Sequence, residues 1–410
     1  MRFQGVRWAV PAATFVSGTA AGVWFQRQQA KPQAPDNENA AIKPTTSSPE
    51  TVAAPPTGPV DMFGAVGNTP LLELKSVSRL TQCKIYAKAE FMNPCGSVKD
   101  RAAKYLILDA ERKGQLKPGD AVVEATGGNT GISMALLSAS RGYSTIFTMP
   151  DRTAPEKIEL MKVMGASVHV QPQSSMFDKV NHFYFLAHRL HAANSHSAYP
   201  NQFENTASMR AHYETTGPEI WRQTSGKIDG FVAASGTAGT ISGVSKFLKE
   251  VKPDCAVWLV DPDEVAGLAN YVNADRSNSE WKDDFEIVPT RNGTTITEGI
   301  GLPRVTPNFR HAVVDKGITV TNQEVVDMAY FLLRNDGVFV GPSAALNVAG
   351  AVKMARELGP GHTIVTILCD GGDRYRSKLY NREWLKERDL LPTTDAEGNL
   401  PSTLDFVKEL

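Results

Sequence analysis

Ala121-Val122-Val123-Glu124-Ala125-Thr126-Gly127-Gly128-Asn129-Thr130-Gly131 is a short apolar run that ends in a glycine turn and leads into apolar residues at helical spacing. The run predicts a strand over 121–125, and the residues after the turn predict a helix over 132–141. The same alternation extends to both sides. Further strands are predicted at 144–149, 167–171, 230–235, 257–261 and 363–368, and helices at 155–164, 177–192, 206–223, 240–250, 322–335 and 343–357. Strands separated by helices indicate an α/β fold with mainly parallel sheets, in which ligands bind where strand ends turn into helices.

Two of those turns are rich in glycine. Residues 126–131 bring small residues and backbone N–H groups to a helix N-terminus, a place suited to a substrate carboxylate. Ser235-Gly236-Thr237-Ala238-Gly239-Thr240 again follows a strand and opens a helix, and its N–H groups and threonine hydroxyls can wrap a phosphate. Neither turn contains G-x-G-x-x-G, and no lysine follows the second in the P-loop position, so nucleotide-dependent dehydrogenases and kinases lose support. A third turn, Asn93-Pro94-Cys95-Gly96-Ser97-Val98-Lys99-Asp100-Arg101, delivers Lys99 onto the first turn of a helix that continues to about residue 113. The positive end of the helix dipole disfavours an ammonium there, so the pKa of Lys99 is expected to fall, which suits a nucleophilic or Schiff-base lysine.

The 410-residue chain carries 43 Lys and Arg against 44 Asp and Glu, and this balance without a basic stripe excludes nucleic acid as the principal partner. Cys83, Cys95, Cys255 and Cys369 lie far apart, a pattern of neither a zinc site nor a disulfide framework. His182, His188, His191 and His196 cluster near one helix without carboxylate or cysteine partners, so no metal site is expected. Residues 8–25 are uncharged and flanked by Arg2, Arg7, Arg27 and Lys31, with Trp8 and Trp24 at their ends. Residues 1–30 therefore read as a hydrophobic anchor or targeting segment, preferably a single-pass anchor of the mitochondrial outer membrane, with matrix import as the second choice. Residues 31–60 form a proline-rich linker, the folded part spans 61–384, and 385–410 read as a tail with one short helix.

The motifs NPCGSVKDR, TGGNTG and GTAGTISG, in this order, resemble the cysteine synthase/cystathionine β-synthase family over about residues 62–377. The resemblance implies a fold-type II pyridoxal-phosphate enzyme. Its two three-layer αβα lobes, a smaller one at 93–205 and a larger one at 61–92 and 206–384, would hold the cofactor in the cleft between them, and the enzyme would be a homodimer. By motif, Lys99 would form the Schiff base and Asn129 would hydrogen-bond the 3′-oxygen. Gly236, Thr237, Ala238, Gly239 and Thr240 would hold the phosphate, and Ser343 would face the pyridine nitrogen. Thr126, Gly127, Gly128, Thr130 and Gln202 would hold the substrate carboxylate. The implied reaction is β-replacement on an O-acetylserine-like amino acid through an aminoacrylate, with sulfide as nucleophile, giving L-cysteine and acetate. Cysteine desulfhydrase and serine/threonine dehydratase share that chemistry, and a membrane-tethered binding protein is the alternative of another class.

The chain departs from the family pattern at Gly127, where serine is usual, at Ala238, where glycine is common, and in Cys369-Asp370-Gly371-Gly372-Asp373-Arg374-Tyr375. The hydrophobic N-terminus, the linker, VDPDEVAG and DGVFVGPSAALN resemble a fungal-type mitochondrial cysteine synthase-like branch.

Overall fold

A computed structural model of the chain describes residues 58–174, 178–274, 287–291, 293–394 and 398–410. The proposed anchor at 8–25 lies outside the described residues, as does all but the end of the linker. Among the described residues no helix is long and apolar enough to cross a membrane.

The chain begins with β1 (Leu71–Glu73), α1 (Lys75–Thr81), β2 (Lys84–Ala89) and α2 (Lys99–Arg112). It then lays down β3 (Ala121–Ala125), α3 (Asn129–Ser140), β4 (Ser144–Pro150), α4 (Pro155–Val163), β5 (Ser167–Gln171), α5 (Phe183–Ala192) and β6 (Ser197–Ala198). These four strands form one parallel sheet in the order β5-β4-β3-β6. Next come α6 (Ala207–Ala211), α7 (Gly217–Gln223), β7 (Gly230–Ala234), α8 (Gly239–Val251), β8 (Ala256–Pro262) and α9 (Gly267–Asn273). The last elements are β9 (Lys316–Val320), α10 (Asn322–Asn335), α11 (Pro342–Leu358), β10 (Thr363–Leu368) and α12 (Arg382–Lys386). The second sheet has the order β1-β2-β10-β7-β8-β9, parallel except for the edge pair β1–β2.

Period-two alternation explains why the larger sheet is covered on both faces. Along β7, β8 and β10, Val232, Trp258, Val260, Ile364 and Leu368 join the core beneath α10 and α11. Their neighbours Phe231, Ala233, Val257, Leu259, Val365 and Ile367 join the opposite core with Ile241, Val244 and Leu248 of α8. Helix α11 is buried from Pro342 through Ala355, which accounts for its apolar circumference. A capping box between Thr321 and Glu324 starts α10.

Three expectations need correction. The helix predicted at 177–192 begins only at Phe183. Asp178 accepts hydrogen bonds from the amides of Val180 and Asn181, and His182 caps the helix, so the preceding residues are held in a turn. The helix predicted at 206–223 is divided by a π-helical turn over His212–Thr216, just before Pro218, whose missing N–H cannot serve a regular α-helical ladder. After α12 the chain forms no further helix among the described residues, yet it is tied to the core: Leu404 and Val407 are buried, and Arg356 donates to the carbonyls of both.

Lys88 of β2 and Glu90, just beyond the end of that strand, are fully buried. Arg101 Nε and Nη2 donate to Glu90 at 2.7 and 2.8 Å, while Nη1 and Nη2 donate to Glu219 of α7 at 2.7 and 2.8 Å. Lys88 Nζ lies 2.6 Å from Glu219. Burial alone would raise the Glu90 carboxyl, but the Arg101 charge and hydrogen bonds outweigh it and hold the group down to about 2. Glu90→Gln is expected to cost about 3–5 kcal/mol in urea denaturation at neutral pH, because it leaves a buried cation short of a partner. Glu90 binds protons less readily in the folded than in the unfolded chain, so its contribution is complete above its ordinary value of 4.5 and fades as pH falls toward about 2. The difference between wild type and Glu90→Gln should therefore shrink across that interval.

Candidate active site

Lys99 is the first residue of α2, and the turn that carries it is pinned at both ends. Asn93 Nδ2 donates to Glu90 Oε2 at 2.8 Å and to Ser97 O at 3.2 Å. Asp100 accepts from the Cys95 amide and from Ser133 Oγ, each at 2.6 Å. Gly96 has φ +80°, and a Cβ there would lie 2.7 Å from Arg374 Nη2, so the turn needs glycine. Val98 N donates to Cys369 O at 2.8 Å, and Ser97 bridges Asp370, which lays the turn along the end of β10. Withdrawal from water lowers the pKa of Lys99, opposed by the nearby Cys369. The direction agrees with the sequence reading, but burial is its leading cause. Burial also pushes the thiol of Cys95 up and that of Cys369 up to about 12, so neither is a reactive thiolate.

The loop after β3 meets the same turn. Asn129 Nδ2 donates to Asp370 Oδ2 at 2.6 Å, and Asn129 Oδ1 accepts from Arg374 Nη1 at 2.6 Å. Arg374 also donates to Cys95 O. Thr126 Oγ1 accepts from the amides of Gly128 and Gly131, at 3.4 and 3.1 Å. Thr130 Oγ1 donates to Gln202 Oε1 at 2.7 Å, and Gln202 Nε2 donates to Ala125 O at 3.0 Å. The structure thus brings Thr126, Gly127, Gly128, Thr130 and Gln202 together around the N-terminus of α3. Gly128, its N-cap, has open space where a Cβ would stand.

The second glycine turn precedes α8. Ala238 is the N-cap with φ 71°, a left-handed conformation that costs an alanine about 1–2 kcal/mol. A Cβ at Gly236 would sit 2.7 Å from Gly299 O, and one at Gly239 would collide with Ser208 Oγ. Thr237 O accepts from Thr306 Oγ1 at 3.1 Å, and Thr240 Oγ1 lies 3.2 Å from His212 Nε2. The hydroxyls of Ser235 and Thr297 are buried without a partner among the described residues. A backbone cradle this tight, with spare hydroxyls beside it, fits a phosphate group. Ser343 starts α11 and lies against Cys369, near Lys99.

Several contributors carried no assigned role in the sequence. Asp370, Arg374 and Tyr375 orient Asn129 directly or through the Tyr375–Asp370 hydrogen bond of 2.7 Å, and their only signal was the segment 369–375. His212 had none: it is buried, and its pKa is pushed down to about 3 by burial and then by Arg101, so it is a neutral partner of Thr240. Lys157 of α4 pairs with Glu298, which also binds Lys378 at 2.5 Å, linking α4 to two segments of the chain far beyond it. A separate cavity of about 600 Å³, bordered by Glu264, Thr295, Asn322 and Lys408 among others, is lined by neither Lys99 nor the glycine turns.

A family profile described as "Pyridoxal-phosphate dependent enzyme" matches residues 62–370. The chain is 46% identical over 343 residues to "Cysteine synthase" of Dictyostelium discoideum, covering 84% of this chain and 88% of that protein. It is 42% identical over 328 residues to a Saccharomyces cerevisiae protein named "Putative mitochondrial cysteine synthase", covering 77% and 82%. The structure of an O-acetylserine dependent cystathionine beta-synthase from Helicobacter pylori matches with a TM-score of 0.67 at 30% identity, over 79% of this chain and 99% of that chain.

The left-handed Ala238 yields a test of the cradle. Ala238→Gly removes a backbone penalty of about 1–2 kcal/mol and adds a flexibility cost of about 0.5–1 kcal/mol. The variant should be more stable by roughly 0.5–1 kcal/mol, measured as a rise in the urea midpoint, whereas Ala238→Val should lower it.

Proposed function

The chain belongs to the pyridoxal-phosphate-dependent enzymes, and from that premise we propose that it is a cysteine synthase converting an O-acetylserine-like amino acid and sulfide into L-cysteine and acetate. Support for this reading comes from a desolvated lysine on the first turn of α2, a glycine turn at the N-terminus of α3 and a tight glycine cradle at the N-terminus of α8. When bound, the cofactor supplies an electron sink for the α-carbon of the substrate.

The residues of the chain supply the rest. Lys99 Nζ would hold the cofactor and would take the α-proton of the substrate; its lowered pKa raises the share of free amine at a given pH. The N–H groups of residues 236–240 and the N-terminus of α8 hold the phosphate. Asn129, clamped by Asp370 and Arg374, has an Nδ2 proton left that would serve the 3′-oxygen. Ser343 would offer the pyridine nitrogen a neutral hydroxyl in place of a carboxylate, which would moderate the electron sink and favour loss of a β-leaving group. Thr126, Gly127, Gly128, Thr130 and Gln202 bind the substrate carboxylate through loop amides and the Thr130–Gln202 pair.

The cellular setting we propose is mitochondrial, with residues 8–25 as an outer-membrane anchor and a homodimeric catalytic part. Support comes from the uncharged segment between basic flanks and from the name of the yeast relative. Protease treatment of intact mitochondria should degrade the catalytic part; resistance would place it inside the organelle instead.

The purified protein should show a visible absorbance band that changes on adding O-acetylserine and recovers with sulfide as cysteine forms. Lys99→Ala should lose the band and at least about three orders of magnitude in cysteine formation. Acetate, pyruvate and ammonia as the only products, with no cysteine when sulfide is present, would assign the chain to elimination rather than synthesis.

A further inference from the structure

The carboxyl ends of β3 and β4 lie side by side, since Ala125 is in register with Thr148 and the Thr126 amide donates to Thr148 O at 2.9 Å. The turn after β4 therefore overhangs the turn after β3. Thr153 stands in that overhang, its amide bound to Pro150 O at 3.1 Å and its side chain half-buried. A Cβ on Gly127 would collide with Thr153 Oγ1 and lie 3.1 Å from Thr153 Cγ2 and 3.2 Å from Met149 Cβ. The space that a side chain at residue 127 would enter is thus filled by the hydroxyl end of Thr153. Among the described residues no hydrogen bond engages that hydroxyl, although Thr126 and Thr130 on the loop below are both committed.

We propose that Thr153 is a substrate-binding residue: its hydroxyl, delivered from the β4–α4 turn over Gly127, donates to the carboxylate of the amino-acid substrate. The missing side chain at residue 127 and the threonine above it form one unit, in which a hydroxyl reaches the loop from the neighbouring turn. A hydroxyl in the turn that leads into α4 answers to the position of that helix. Helix α4 is itself tied to the larger lobe by Lys157–Glu298 and by the Ser377–Glu156 hydrogen bond. Substrate affinity should therefore depend on a residue that the β3 loop does not contain.

The inference rests on assigning the 126–130 loop to the substrate carboxylate, and its test separates the two. The full-length, cofactor-loaded protein is titrated with L-alanine, which has the ammonium and carboxylate but no β-leaving group, and binding is followed by the change in cofactor absorbance. Thr153→Val keeps the shape and removes the hydroxyl; it should raise the dissociation constant about tenfold, the scale of one hydrogen bond to a charged group. The KM for O-acetylserine should rise in parallel while kcat stays within about threefold, and Thr153→Ser should stay within about threefold of wild type in all three. Thr153→Val binding as tightly as wild type, or Thr153→Ser failing as badly as Thr153→Val, would overturn the role of the hydroxyl. Thr130→Val is the control for the loop. If it weakens L-alanine while Thr153→Val does not, only the Thr153 proposal fails; if neither variant changes binding, the carboxylate loop is misassigned as well.

Discussion

The carboxylate of Glu90 holds both ends of the segment on which the chemistry depends. It accepts from Asn93 at the start of the lysine turn and from Arg101 two residues after Lys99, so the turn between them has little freedom to shift. Arg101 then reaches Glu219, and Glu219 pairs with Lys88, which joins β2, α2 and α7 in one buried network with two formal charges of each sign. Charges taken out of water are tolerated when every partner is supplied, and the geometry here supplies them. A network of this kind is costly to perturb at any single member. It therefore suits a site where the position of one amine matters more than maximal stability.

A second clamp transmits that order across the cleft. Asp370 makes three contacts at once: it bridges Ser97 beside Lys99, accepts from Asn129, and accepts from Tyr375. Arg374 closes the loop by binding both Asn129 and Cys95 O. The 369–375 segment thus couples the lysine turn to the β3 loop, and Lys157–Glu298–Lys378 couples the adjacent helix α4 to the same side of the larger lobe. Relative movement of α4 and the 369–375 segment would have to break or carry these contacts.

Much of this was legible in sequence because it is local. The strands at 121–125, 167–171 and 363–368 and the helix at 322–335 follow from periodicity, and the glycine turns announce themselves between them. What periodicity cannot supply is pairing between distant segments. Strand β10 lies between β2 and β7 in the larger sheet, and the partners of Asn129 are 241 and 245 residues away. The partners of Lys88 and Glu90 sit on α2 and α7, so no local pattern announces their network. The π-helical turn at His212–Thr216 was hidden for the opposite reason: its residues fit a helix, and only Pro218 hinted that the ladder had to change.

Lys99 shows how a right direction can have a different leading cause. A helix N-terminus disfavours a cation by about 0.3–1 kcal/mol at an exposed site, an effect confined to the first turn. Desolvation acts on the same charge with a larger reach, up to several pKa units for buried amines, and it leads the lowering at Lys99. The carboxylate that follows Lys99 does little to oppose it. Asp100 spends its acceptors on Cys95 N and Ser133 Oγ, and burial raises its own pKa to about 6. A fixed carboxylate aimed at Lys99 would have stabilised the ammonium and cancelled the effect of burial. Turning Asp100 inward to hold the backbone, and leaving the protonated thiol of Cys369 near the amine, keeps it available for bond formation.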